Sequence, residues 1–172
     1  MVDKEENEIF RISVTNNLKS STLIIGLLTV FTALNLYGYF YHPYYNLNAF
    51  LYTIVLILPG LGPAILVHLE YVMCNWKTTL EVNKTTKKLL YKDKGKEIEA
   101  SFDDIAYIIK HQVKDTALLY GFYKYYEIHL ECGEVLVITN LMVRDFSIPG
   151  IEIEIIERYF PSVWWYNNVS SQ

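Results

Sequence analysis

The chain predicts an α+β membrane protein, in which a two-helix transmembrane hairpin precedes an antiparallel β-sandwich or partly open barrel closed by a C-terminal helix. Three observations carry that expectation. All 15 Lys and Arg of the 172 residues lie at or before Lys19 or at or after Lys77, and between them Glu70 is the single formal charge. Within that interval two apolar runs have the length of membrane spans. After Trp76, continuous apolar sequence gives way to alternation broken by turn residues roughly every eight to twelve positions. Composition narrows the class further. With 52% hydrophobic residues, a net charge of -4 and two cysteines, the chain is not a disordered tail, a nucleic-acid binder or a disulfide scaffold.

Residues 1–20 form a polar leader in which Phe10, Ile12 and Val14 alternate with Arg11, Ser13 and Thr15. That alternation reads as a strand, and we expect it to dock on an edge of the module that follows the helices. Ser21 to Tyr41 is the first span: at about 1.5 Å per residue it matches a hydrocarbon core of roughly 30 Å. Its leader carries four acids and no small-x-small site follows, unlike a cleaved signal. The second span, Ala49 to Met73, is longer and contains Pro59, Gly60, Gly62 and Pro63. Two prolines and two glycines near mid-span remove hydrogen bonds and predict a helix break or a packing kink. The link from His42 to Asn48 holds no acid or base, so the helices form an antiparallel hairpin.

Orientation follows from the cations, because loops rich in Lys and Arg stay cytoplasmic. Lys4, Arg11 and Lys19 precede the first span and a run from Lys77 follows the second, which places both termini in the cytoplasm. Tyr37, Tyr39, Phe40, Tyr41, Tyr44, Tyr45, Phe50 and Tyr52 then form an outer interfacial belt. Glu70 lies near the end of the second span and His68 is two residues away, pointing to a different side of a helix. As intramembrane polar residues they are candidate functional groups, with snorkelling of Glu70 to the headgroups the simpler account.

Residues 76–166 make the soluble module, and 167–172 a short tail. Leu80 and Val82, Leu89 and Tyr91, then Ile98, Ala100 and Phe102 supply three strands, with Asp93-Lys94-Gly95-Lys96 as a hairpin turn. Ile105, Tyr107, Ile109 and Val113 are expected on one face of a longer strand; Tyr126, Ile128, Leu130 and Cys132 share a face of the next. Val135 to Asn140 follows a tight turn, and Met142 to Phe146 reads as a short last strand. Beyond the Pro149-Gly150 break, Ile151, Ile155, Ile156, Tyr159 and Phe160 can line a helix that stops at Pro161, although Ile151 to Ile155 also alternates like a strand.

Three segments carry a resemblance: LEVNKTTKKLLYKDKG at Leu80 to Gly95, FDDIAYI at Phe102 to Ile108, and EVLVITN at Glu134 to Asn140. From Trp76 onward the chain resembles the small pleckstrin-homology-like (PH-like) domains of bacterial membrane proteins, in which a two-helix hairpin precedes the domain. The resemblance implies a scaffold at the bacterial inner membrane, used for binding rather than catalysis. The expected partners are the lipid bilayer and either a protein or further copies of the chain, with no nucleic acid, metal or cofactor. Lys84, Lys87, Lys88, Lys92, Lys94 and Lys96 form a dense basic patch on the first hairpins, a candidate contact with the inner leaflet. In lipid-binding members of that family the corresponding early loop holds phosphoinositide headgroups; here Asp93, Glu97 and Glu99 dilute the patch and the Arg-bearing headgroup motif is missing. His111, His129 and Cys132 do not make a zinc set, since alternation sends His129 and Cys132 to opposite faces. No nucleophile elbow, phosphate loop, dinucleotide motif or paired-acid constellation occurs, so an enzyme is not expected. A channel or transporter subunit using the Pro-Gly segment, or a membrane-resident immunity or stress protein, are the alternatives.

The orientation is directly testable with fusions. Green fluorescent protein fused after Gln172 is expected to fluoresce, and alkaline phosphatase inserted at Asn46 to be active. The reverse pattern would invert the topology.

Overall fold

The computed structural model of the chain describes residues 7–42, 47–114, 121–159 and 161–163. Strand β1 (Asn7–Phe10) comes first, then two long helices, α1 (Val14–Tyr41) and α2 (Leu47–Asn75). The remaining strands are β2 (Thr79–Asn83), β3 (Lys88–Asp93), β4 (Lys96–Ser101), β5 (Ile105–Val113), β6 (Lys124–Leu130), β7 (Val135–Thr139) and β8 (Ile153–Arg158). They form two four-stranded sheets, one in the order β1-β2-β3-β4 and the other in the order β7-β6-β5-β8. The helices are therefore inserted between the first two strands of one sheet. As expected from the alternation at Phe10, the leader is an edge strand, antiparallel to β2 with Phe10 opposite Leu80.

The local reasons are those the sequence displays. In β2 and β3, Leu80, Val82, Leu89 and Tyr91 face inward while the residues between them face out. Asn83 Oδ1 accepts the Thr86 N–H at 2.8 Å, closing an Asx-type turn between the two strands. Lys94 and Gly95 both have positive φ, 47° and 91°, which gives the β3-β4 hairpin the twist-matched turn anticipated at Asp93 to Lys96. The sheets pack face to face over Leu80, Leu89, Phe102, Ile108, Ile128 and Ile138, joined by Met142 and Phe146.

Four expectations need correction. The segment from Ile151 to Tyr159 is not a helix: Ile153–Arg158 is β8, pairing parallel to β5 with Ile108 opposite Ile153. β-Branched isoleucines alternating with glutamates suit a pleated surface, and β5 offers a free row of backbone donors and acceptors that an isolated helix could not use. Met142 to Phe146 is not a strand either; Met142 N–H and Val143 N–H both bond Thr139 O, coiling the chain so that Met142, Val143 and Phe146 plug the core. In β5 the inward face changes phase. A bulge between Ile105 and Tyr107 exposes Tyr107 and brings in Ile108, so Ile105 and Tyr107 do not share a face. Finally, the helix break does not occur: α2 is continuous helix through Pro59 and Pro63. A Cβ added at Gly62 would meet nothing within 4 Å, so Gly62 is not there for close helix packing.

Among the described residues one helical window, Ile24–Tyr41, is long and apolar enough to cross a membrane. The first turns of α1 and the last of α2 are different in kind. Ile24, Ala64, Val67 and Tyr71 form a second cluster with Tyr123, Tyr125, Leu141 and Val163 on the outer face of the β7-β6-β5-β8 sheet. α2 thus covers that sheet opposite the inter-sheet core.

Truncating Ile128, fully buried between the sheets, to Ala is expected to cost about 2–5 kcal/mol. The same change at Ile155, 55% exposed on β8, should stay within about 0.5 kcal/mol. Chemical denaturation of the two variants checks the assigned faces of both strands.

Candidate functional site

Two regions concentrate polar chemistry, and both lie where the helix ends meet the β7-β6-β5-β8 sheet. At the first, Asn75 closes α2 and turns its amide onto β7, with Nδ2 donating to Val137 O at 3.1 Å and Oδ1 accepting the Thr139 N–H at 2.9 Å. A side chain that donates to one strand residue and accepts from the next but one imitates a neighbouring strand. It satisfies the edge of β7 that faces away from β6. Ser13 N–H donates to Leu141 O at 3.0 Å and Asn140 Nδ2 donates to Ser20 Oγ at 3.0 Å, which pins the start of α1 just beyond the same strand.

Tyr71, fully buried, packs edge-on against Tyr123 and Tyr125, with ring centroids 5.3 and 6.3 Å away, and its hydroxyl donates to Pro161 O at 2.9 Å. His68 Nδ1 lies 3.0 Å from the Tyr123 hydroxyl. Ser162 Oγ donates to Glu70 Oε1 at 3.0 Å. Glu70 is 6% exposed, so it meets the module rather than snorkelling to headgroups, and His68 and Glu70 serve different contacts of the junction.

Lateral to this, on the same sheet face, Glu127 Oε2 is 3.3 Å from both His111 Nε2 and His129 Nε2. Arg158 Nε donates to His111 Nδ1 at 2.9 Å, which leaves the His111 proton on Nε2, toward Glu127. The His129 contact has hydrogen-bond alignment; the His111 contact is close but misaligned. Burial opposes ionisation of Glu127, but the two imidazoles outweigh it and hold the carboxyl below its ordinary range. Tyr107 stacks on His129 and Tyr125 on His111, at 4.3 and 4.4 Å between ring centroids.

The second region is a cleft of about 640 Å³ between α1 and the ends of β5 and β6. Lys19, Lys110, Lys124 and Arg144 line it, and no carboxylate does among the described residues. Gln112 stands opposite Lys124 across β5 and β6, and Lys110 is two positions along on the same face. That face is apolar at Ile108 and Ile128 and becomes cationic as it leaves the core. Lys124 pairs with Asp145 beside the cleft. Asn140, 6% exposed, is part of the wall; its Nδ2 is used by Ser20 and Phe122 O, while its Oδ1 has no partner among the described residues. Burial, then the neighbouring Lys124, depress the Lys110 ammonium from its usual value.

The basic hairpins behave differently. Lys84 pairs with Glu8, Lys88 with Glu99 at 2.7 Å, Lys92 with Glu97 at 3.4 Å and Lys96 with Glu134 at 2.6 Å. Lys87 and Lys94 occupy left-handed turn positions, with φ of 54° and 47°. The six lysines therefore lie along two hairpins, most of them neutralised locally. Of Pro59, Gly60, Gly62 and Pro63, none opens the helix, and their neighbours Leu61 and Ala64 are buried. Tyr44, Tyr45, Phe160 and residues 164–172 lie outside the described residues. The cleft cations were missed in the sequence because they come from four separated segments, none of which is basic by itself.

This fold, two four-stranded sheets packed across an apolar core, is that of a small β module with helices inserted after its first strand. A family model described as PH domain matches residues 9–149, so the chain belongs to the PH domain family. The match begins in β1 and runs through both helices to the turn before β8. Comparison with curated proteins and with solved structures found no match.

Glu127→Gln tests the His-Glu-His cluster through pH. A carboxyl depressed in the folded state stabilises above its unfolded value and loses that contribution as pH falls through the folded one. The variant is expected to be about 1–2 kcal/mol less stable than the parent at pH 7, with the difference starting to shrink as pH falls below about 4.3 and lost only once pH is below the depressed folded value. A pH-independent difference in denaturation midpoint would remove the electrostatic account.

Proposed function

We propose that the chain is a membrane-anchored PH-like binding module, held by its helices on the cytoplasmic side of the inner membrane, where it engages a protein partner or a second copy of itself. The observation that carries the reading is the division within each helix. The inner ends are built into the β module through Tyr71, Asn75, Ser13 and Ser20. The outer parts leave Val30, Leu34, Leu36, Phe40, Leu51 and Val55 exposed. Each large apolar side chain left in water forgoes about 1.5–3 kcal/mol of burial, a deficit that a bilayer removes.

Binding rather than reaction is the reading these residues support. The buried polar groups at the junction are engaged with one another or with backbone, and among the described residues none pairs a nucleophile with a base over an open cleft. For partner engagement the strand edges matter. Asn75 covers the edge of β7, whereas β8 ends its sheet and exposes Ile155 and Tyr159 beside charged neighbours. A strand from a partner can add to that edge by main-chain pairing.

Two measurements test the reading. The full chain is expected to remain in the membrane pellet after alkaline carbonate extraction; release to the supernatant would overturn anchoring. A photocrosslinking residue placed at Ile155 should give a defined adduct in membranes, a dimer or a single heterologous band. Only monomer from Ile155, with an equally bare result from a probe on β4, would overturn partner engagement.

A further inference from the structure

β8 is the last strand of its sheet, and the side-chain contacts that fasten it gather at one end. None of its six residues is fully buried; Ile155 is 55% exposed and Tyr159, directly after the strand, 77%. Its main chain pairs with β5 from Ile153 to Arg158, and the Lys114 N–H donates to Arg158 O at 3.1 Å. There too Lys114 Nζ lies 4.6 Å from the centroid of the Tyr159 ring, and Arg158 Nε donates to His111 Nδ1 at 2.9 Å. An edge strand paired on one side and only partly buried belongs to the least stable part of a fold, so a single side-chain bond carries weight there.

The Arg158 bond fixes the protonation state of its acceptor. A guanidinium has donors and no acceptor, so Nδ1 of His111 keeps its lone pair and the ring is neutral. The residue is 1% exposed, and Tyr125 of β6 stacks on it. Also from β6, Glu127 Oε2 lies 3.3 Å from His111 Nε2 and from His129 Nε2. On β8 the face that carries Arg158 also carries Glu154 and Ile156. α2 adds Tyr71, packed on Tyr125, while its His68 and Glu70 are engaged by Tyr123 and Ser162. Nδ1 is therefore where a second proton must go, and it is the atom that Arg158 holds. His129 is under no such exclusion: an imidazolium donates from both nitrogens, so His129 can charge and keep Glu127.

We propose that β8 is a proton-released strap: protonation of His111 expels Arg158, and the segment from Ile155 to Tyr159 then lifts off β5. The two states exclude each other by geometry and by charge. A proton on Nδ1 meets the Nε–H of Arg158, donor against donor, and the imidazolium faces the guanidinium as a like charge. Glu127, 3.3 Å from Nε2, supplies the counterion that a charge at this depth requires. The strap moves between two fixed points. Before it, Ile151 and Ile153 pack against the core between the sheets; after it, Pro161 and Ser162 are held by Tyr71 and Glu70. Release uncovers main-chain groups of β5 and takes away the outer edge of the sheet, so a partner strand paired to that edge loses its docking site in acid. The switch itself rests neither on anchoring nor on a partner.

The test is hydrogen exchange of the full chain in a non-ionic detergent, read by mass spectrometry and corrected for intrinsic rates. It compares about pH 7.5 with about pH 5.5, on either side of the range in which an imidazole ordinarily titrates. Glu127, held below its ordinary range, stays ionised throughout. Protection of fragments spanning Ile155 to Tyr159 is expected to fall about ten- to hundredfold at the lower pH, the contribution of one hydrogen bond to a charged group. Fragments of β6 should hold within about twofold. R158M removes the donor, so its β8 should exchange at the higher pH as fast as the parent's does at the lower, with no further change on acidification. H111N, whose amide oxygen accepts from Arg158 but does not titrate, should stay protected at both. H129Q should switch as the parent does.

Equal protection of β8 at the two pH values in the parent overturns the proposal, as does a loss shared equally by β6. A pH dependence that survives in R158M refutes the role of Arg158 and with it the strap. One that survives in H111N and disappears in H129Q assigns the proton to His129 and refutes the mechanism. H111N removes ring volume beside Tyr125; where it fails to fold, R158M, at a half-buried position, decides alone. The crosslink from Ile155 separates this from partner engagement. A chain without an adduct whose β8 loosens in acid refutes engagement alone, and one with an adduct whose β8 is indifferent to pH refutes the strap alone.

Discussion

Asn75 lends its amide to the outer edge of β7, and one turn earlier Tyr71 fills the sheet face behind that edge between Tyr123 and Tyr125. These two side chains couple the end of α2 to the module in both direction and register. An amide in two hydrogen bonds to one strand cannot slide along it, and a buried ring held by Pro161 O cannot rotate out without opening a cavity. α1 follows, because Ser13 and Ser20 are bonded to Leu141 and Asn140, the two residues that continue β7. The helices are thus packed into the domain at these ends.

The same coupling creates the cleft. α1 can contribute Lys19 to a wall shared with β5 and β6 only because its first turns are tied down beside Asn140. Without that tie, Lys19 would be free to move away from Lys110 and Lys124, which the pairing of β5 with β6 keeps together. Holding them together is an electrostatic cost, and sites that bear such a cost are where a ligand of opposite charge is expected. The basic hairpins illustrate the contrary case. Their lysines have glutamates across the strand or on a neighbouring one, an arrangement that stabilises sheet pairing modestly and leaves little net field for a ligand.

How much could be read in advance depended on the range of the interaction. Strand alternation at Leu80 to Tyr91 and at Tyr126 to Leu130, the hairpin at Asp93 to Lys96 and the strand-like leader were all visible, since each is dictated by side-chain period and turn chemistry within a few residues. Density of charge along the chain was also visible, but the acids that the fold sets beside Lys84, Lys88, Lys92 and Lys96 were not. Glu70 was misread for a related reason. Near the end of an apolar run it resembles a group seeking headgroups, but Ser162, far along the chain, meets it instead.

By itself the sequence determined the α+β class, the apolar stretch now seen as the exposed part of α1, and most of the strand faces, because hydrophobic period acts locally and does not depend on what lies across the fold. At Ile151 to Ile155 it displayed both patterns, and the expectation of a C-terminal helix there was the wrong one. Tertiary structure decided that choice by offering β5 as a parallel partner, shifted the phase of β5 with a bulge, and kept α2 helical through its two prolines. It alone brought Lys19, Lys110, Lys124 and Arg144 to one cleft, since charges distant in sequence become neighbours only where packed elements hold them there against their repulsion.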